Sequence, residues 1–368
     1  MAGKRTKTAI GLWRRYQKMA HRRQEDAKRL ARSVAGRYLV TKAEPRPLWP
    51  WLLAGVGTGA GLSLAATFGS RRAMLKRQAS APEVSRTTVV DGILMRWEEQ
   101  GEGAPVVLVH GIPTNPRLWR FVLPRLEGLK ALAWEMVGFG WSIPAGFGRD
   151  ISLRAQSVYL YRWLQTMGIE RAVFVGHDLG GGVVQRFAVE HPEMCAGLVL
   201  VDSVAYDNWP VAPIKAARAS RNAIAKMPNP LVRPLVTSAV ATLGHDSVQG
   251  RAEAPNLYWS PYAATRAGEA LAHQLASLDP RHTMEIADDL ASLSVPARIV
   301  WGELDPLGMH HARRLARDLR APIRAVPMAR HFTPEDHADE VADEINDLLR
   351  ASGYVRGHAP APEVEERT

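Results

Sequence analysis

Apolar positions recur along this chain with two different periods, and their order predicts an architecture. Residues 87–90 and 93–97 alternate apolar and polar positions around Asp91-Gly92, which reads as an opening β-hairpin. Continuous apolar runs follow at residues 105–110, 131–136, 172–175 and 198–201, and the β pattern resumes at 295–301 and 322–327; such runs read as buried strands. Between them the period changes. Residues 152–167 have helical spacing and end at Gly168, a second helix starts near Gly181 and stops at His191-Pro192, and residues 335–349 form an amphipathic closing helix. Strands alternating with helices predict an α/β fold with a mostly parallel sheet. Residues 205–290 break the alternation, being rich in proline and alanine with short helical pieces and no convincing strand. They read as an insertion.

The first 86 residues follow another pattern. Residues 1–46 form a basic N-terminal arm in which Lys and Arg recur with too few apolar residues for a buried face. Residues 47–70 carry no charge, open on Trp49-Pro50-Trp51 and are followed by Arg71-Arg72 and Lys76-Arg77. An aromatic entrance, an apolar length and a cationic stop predict a transmembrane or membrane-associated helix, and hence a membrane-associated protein with a single N-terminal anchor. Residues 71–86 read as a linker, 87–352 as the folded body and 353–368 as a disordered tail.

Composition changes this picture in two places. The net charge of +10 suggests nucleic acid, but residues 1–77 hold 18 Lys+Arg against 3 Asp+Glu, leaving 29 against 34 for the rest. The basicity belongs to the arm, so no specific nucleic-acid partner is expected of the body. The one cysteine, Cys195, excludes an intramolecular disulfide and reads as a core residue.

The chemistry centres on residues 173–184, Val-Phe-Val-Gly-His-Asp-Leu-Gly-Gly-Gly-Val-Val. A buried strand turns sharply into a helix there, and the glycines relieve crowding beside a strained central residue. This stretch resembles a nucleophile elbow in which Asp178 occupies the place usually held by serine. A carboxylate is ionised at neutral pH and attacks without a base to activate it, its natural target being an electrophilic sp3 carbon. The chain resembles the α/β-hydrolase superfamily, and within it the aspartate-nucleophile branch of epoxide hydrolases and haloalkane dehalogenases. Two further stretches carry the resemblance: His110-Gly111-Ile112-Pro113 after an apolar strand, and Val137-Gly-Phe-Gly-Trp-Ser142, although Glu135-Met136 departs from the family's Pro-Asp.

The resemblance implies an α/β-hydrolase fold with a helical cap in the insertion, and catalytic residues in the order nucleophile Asp178, acid Asp305, base His331. Glu303 and Asp202 are the alternative acids. The backbone N–H groups of Ile112 and Leu179 would form the oxyanion hole. Asp178 would form an alkyl-enzyme ester, which water activated by His331 cleaves. Epoxide opening would draw on cap tyrosines as proton donors, with Tyr206, Tyr258 and Tyr262 as candidates. Halide release needs other donors. Leu179 and Ile112 stand where many dehalogenases have Trp and Asn, which leaves Trp209, Trp259, His245 or His273 in the cap. Epoxide hydrolysis of a small apolar or amphipathic organic substrate is the leading expectation and dehalogenation of a haloalkane or haloacid the second. A catalytically idle scaffold is the rival from another class. No cofactor and no metal are expected; the adjacent His310-His311 face apart on a helix and lack a carboxylate set. His177 is expected to pack and hydrogen-bond behind the elbow.

Overall fold

The computed structural model describes residues 85–126 and 128–354. The readings of residues 1–46 and 47–70, and of the tail beyond Tyr354, lie outside the described residues. The first strand begins at Ser85, inside the stretch read as linker.

Eight strands form one sheet in the order β1-β2-β4-β3-β5-β6-β7-β8. The hairpin strands β1 (Ser85–Val90) and β2 (Ile93–Gln100) pair antiparallel, and β2 runs antiparallel to β4 (Leu129–Glu135). From β4 onward every pairing is parallel, through β3 (Ala104–Val109), β5 (Ala172–Asp178), β6 (Cys195–Ser203), β7 (Ala297–Gly302) and β8 (Ile323–Val326). The sheet is buried on both faces, which is why its central strands are continuously apolar. Alternation persists within each run as a choice of layer. Val107, Phe174, Leu198 and Leu200 enter one core with Leu160, Val183 and Phe187, carried by α1 (Leu153–Thr166) and α2 (Leu179–Glu190). Val106, Leu108, Val173, Val175 and Val199 enter the other. The helices α7 (Met309–Asp318) and α8 (Ala338–Ser352) follow β7 and β8, and α8 supplies Val341, Ile345 and Leu348 to the second core. Each of these side chains contributes about 1.5–3 kcal/mol by leaving water.

Between β6 and β7 lie only helices and turns, the longer of them being α3 (Ala212–Ala219), α4 (Asn229–Ala239), a π-helical turn (Val240–Gly244), α5 (Val248–Ala263) and α6 (Ala267–Ser277). The closing helix departs from the expected single element. A short helix (Thr333–Asp336) comes first, and His337 separates it from α8.

The membrane reading is corrected. No helix among the described residues is long and apolar enough to cross a membrane. The longest, α5, has 16 residues, short of the ~20 that a bilayer core requires, and it contains Pro255, Pro261, Arg251 and Glu253. The described residues therefore hold no transmembrane helix or anchor, and the segment at residues 47–70 lies outside them.

Candidate active site

The turn from β5 into α2 is as tight as its glycines imply. Asp178 sits at φ 50°, ψ −121° immediately before the helix, a backbone region that costs roughly 1–3 kcal/mol and persists only where its surroundings enforce it. A Cβ at Gly180 would lie 2.1 Å from the Val109 carbonyl oxygen and 2.4 Å from that of His110, so β3 and α2 could not pack. One at Gly111 would fall 2.4 Å from both Cβ and Oδ2 of Asp178. Absence of side chains at these points lets the carboxylate approach two backbone donors. The Ile112 N–H donates to Asp178 Oδ2 at 2.9 Å, and the Leu179 N–H, in the first turn of α2, favours the charged carboxylate in the same sense. The helix dipole favours an anion there.

His331 follows β8 and the turn at residues 327–328. Its Nδ1 donates to Asp305 Oδ2 at 2.6 Å, and its Nε2 lies 3.8 Å from Asp178 Oδ1. Asp305 is held in turn by the Leu307 N–H, which donates to Oδ1 at 2.6 Å. All three side chains are buried or nearly so. His177 packs behind them, its Nε2–H donating to the His331 carbonyl at 2.7 Å. Burial pushes the Asp178 carboxyl above its ordinary range, against the pull of His331 and the two N–H donors. Burial opposes a charge on His331, but the Asp305 carboxylate, with that of Asp178 behind it, outweighs it and raises the imidazole to about 9.

These groups form the floor of a cleft that opens at its mouth. Val204, Trp209 and Ile214, the π-turn residues Val240, Leu243 and Gly244, and Leu278, Pro306 and Phe332 are among its walls. Asp178 and His331 are the only ionisable side chains lining it among the described residues.

The sequence candidates divide sharply. Asp178, Asp305, His331, Ile112 and Leu179 converge from four separate loops. The cap tyrosines do not join them. The Tyr206 hydroxyl donates to Asp318 at 2.7 Å, that of Tyr258 to Glu335 and that of Tyr262 to Gln274 at 2.5 Å; none of the three lines the cleft. Of the candidate halide donors, Trp209 lines the cleft, but its indole N–H is directed to Thr283 Oγ1 at 2.7 Å. His245 is bonded to Asp336, and neither Trp259 nor His273 reaches the cleft. Glu303 is exposed, whereas Asp202 is wholly buried beside the site. No group of three or more His, Cys, Asp or Glu among the described residues could hold a metal ion. Sequence reasoning could not select the π-turn residues that wall the cleft, since nothing distinguishes them from other apolar cap positions.

Comparison with known proteins sets this geometry in a family. Residues 104–338 match the α/β-hydrolase fold family model. An uncharacterized protein of Mycobacterium tuberculosis is 30% identical over 247 residues, covering 63% of this chain and 71% of that protein. Bifunctional epoxide hydrolase 2 of Rattus norvegicus is 32% identical over 150 residues, 40% of this chain but only 24% of that protein. The crystal structure of an α/β-hydrolase fold protein from Burkholderia ambifaria superposes with a TM-score of 0.63 at 25% identity, covering 73% of this chain and 99% of that one. With the family model spanning more than half of its 368 residues, and with the eight-stranded sheet and strand-to-helix elbow described above, this chain is a hydrolase of the α/β-hydrolase fold family.

Proposed function

We propose that this hydrolase uses Asp178 as a nucleophile toward carbon and that its leading substrates are epoxides. The observation carrying this reading is a carboxylate, not a hydroxyl, at the elbow, facing an apolar cleft and 3.8 Å from a histidine nitrogen that has no other role. In the first half-reaction an Asp178 oxygen attacks a ring carbon, the carbon–oxygen bond of the epoxide breaks, and an alkyl ester forms. The alkoxide then needs a proton. His331, protonated in the free enzyme at neutral pH, supplies it through water and so becomes the neutral base required next. In the second half-reaction His331 Nε2 takes a proton from water, the hydroxide adds to the ester carbonyl carbon, and the Ile112 and Leu179 N–H groups hold the oxyanion. Collapse releases the diol and restores the Asp178 carboxylate. The similarity to the rat epoxide hydrolase supports this choice over 40% of the chain.

Dehalogenation of an uncharged haloalkane is the second reading. The orientation of the three tyrosines favours it, because a halide leaves without a proton. Haloacids fit poorly, since among the described residues no Arg or Lys lines the cleft to offset the cost of burying a substrate carboxylate.

Mass spectrometry of the full chain carrying His331→Gln tests the proposal and separates the readings. After incubation with an epoxide panel and, separately, a haloalkane panel, an adduct mapped to Asp178 from epoxides is expected. An adduct from haloalkanes alone transfers the assignment to dehalogenation, and none from either overturns the nucleophile. In a scaffold, Asp178→Asn would retain ligand binding and there would be no turnover to lose.

A further inference from the structure

A second carboxylate lies beneath the site. Asp202 ends the apolar run of β6, is 0% exposed and adopts φ 41°. An unpaired buried carboxylate at a strained backbone position is costly, so its contacts require an account. Oδ1 accepts from the Gly302 N–H at 2.7 Å, where β7 gives way to the turn bearing Asp305. Oδ2 shares a hydrogen bond with the Thr333 hydroxyl, two residues after His331. The same hydroxyl lies 3.2 Å from the Arg330 carbonyl.

Counting protons decides how this chain is occupied. Thr333 has one hydroxyl proton and two candidate acceptors, Asp202 Oδ2 and the Arg330 carbonyl. Were Asp202 ionised, Thr333 would give it that proton and the carbonyl would lose this partner. If Asp202 carries a proton, it donates to Thr333, Thr333 donates to Arg330, and every group is satisfied. The one negative charge beside the Nδ1 side of His331 is then that of Asp305.

We propose that Asp202 is held as a neutral carboxylic acid that ties the Asp305 turn to the His331 loop, and is thus a positioning residue for the hydrolytic base. The role of the base rests on the Asp178 reading above; the protonation of Asp202 does not. Asp305 and His331 are the charged groups nearest Asp202. Burial first, and the Asp305 charge second, push its carboxyl well above the ordinary range, while His331, Thr333 and Gly302 pull the other way. Neutrality has a consequence for His331, which already faces two carboxylates. A third charge would hold its proton more tightly and weaken it as a base.

Infrared difference spectroscopy of the full chain against Asp202→Asn tests the protonation directly. A carboxylic-acid carbonyl band present in the parent and absent from the variant at neutral pH is expected; its absence from the parent overturns the proposal. Asn reproduces the hydrogen-bond pattern of a neutral acid, so the His331 titration followed by NMR should stay in place. A fall of about one pH unit or more would show that a charge had been removed, and would equally overturn it. The tie itself is tested by Asp202→Ala. It should slow the hydrolytic half-reaction by about 10- to 100-fold while alkylation of Asp178 persists, and Asp202→Asn should restore it to within about threefold. If alanine leaves hydrolysis untouched, Asp202 positions nothing. If no alkyl-enzyme forms even in the parent, the Asp178 reading fails, whereas the infrared and NMR results still judge the acid.

Discussion

His331 Nε2 lies 3.8 Å from Asp178 Oδ1, beyond hydrogen-bond range but close enough for each charge to act on the other. Asp178 is therefore one of the groups that raise His331 to about 9, and esterification would remove that contribution. The apparent pKa of the base in the alkyl-enzyme is expected to fall below about 9, just when neutral imidazole is needed. Single-turnover hydrolysis measured against pH should accelerate through a midpoint lower than the His331 titration of the free enzyme. The linkage to stability has a definite sign. A histidine raised from 6.5 to about 9 adds stability that is complete below pH 6.5 and disappears as pH climbs through 9. Thermal unfolding of the parent and of His331→Gln should converge over that window.

Gly111 is where the loop after β3 touches Asp178. A methyl group there collides with Cβ and Oδ2 of Asp178, and displacement of a reacting group by about 1 Å costs on the order of 100-fold in rate. Gly111→Ala should lower the alkylation rate by at least that order while the protein still folds, as judged by circular dichroism and rapid-mixing kinetics. Parent-like alkylation would show that the Asp178 carboxylate need not occupy this position.

The cap tyrosines should separate stability from chemistry. Tyr206, Tyr258 and Tyr262 donate to Asp318, Glu335 and Gln274, so each Tyr→Phe change should cost about 1–3 kcal/mol in unfolding free energy, the value of a buried hydrogen bond left half-made. Epoxide alkylation rates at saturating substrate should stay near those of the parent. A 100-fold loss specific to epoxides in one variant would mean that its hydroxyl turns into the cleft during the reaction.

Asp336 fastens the His331 loop to the cap. Its side chain is 3% exposed and accepts from the Asp246 N–H at 2.8 Å, the Ser247 hydroxyl at 2.6 Å and His245 Nδ1 at 3.1 Å. Burial alone would raise its carboxyl, but the hydrogen bonds of His245 and Ser247 overcome this and bring it to about 2. A lowered carboxylate stabilises above its unfolded pKa of 3.8, and that stability is lost as pH falls from there through 2. Asp336→Asn should cost about 2 kcal/mol at neutral pH and little at pH 2, measured by denaturant titration at both.

Much of this protein is settled by local sequence. Short continuous apolar runs bounded by turn residues read as strands covered on both faces, and the spacing of helices between them leads to the parallel α/β-hydrolase sheet. At the elbow, glycines surround a residue whose backbone they alone could accommodate, so Asp178 stands out before any coordinates. His331 and Asp305 are legible for the same reason, as each closes a strand in a short recognisable turn. The tertiary structure decided what local pattern cannot encode. The direction of a hydroxyl depends on which partner packs against it, and Tyr258 turned to Glu335, 77 positions away in the chain. Asp202 reads as a strand-end turn residue, and only the packing of Gly302 and Thr333 against it creates a buried acid. The walls of the cleft likewise come from cap residues far apart in sequence. Their common feature is burial against the floor formed by Asp178 and His331, a property of the folded chain and not of any window along it.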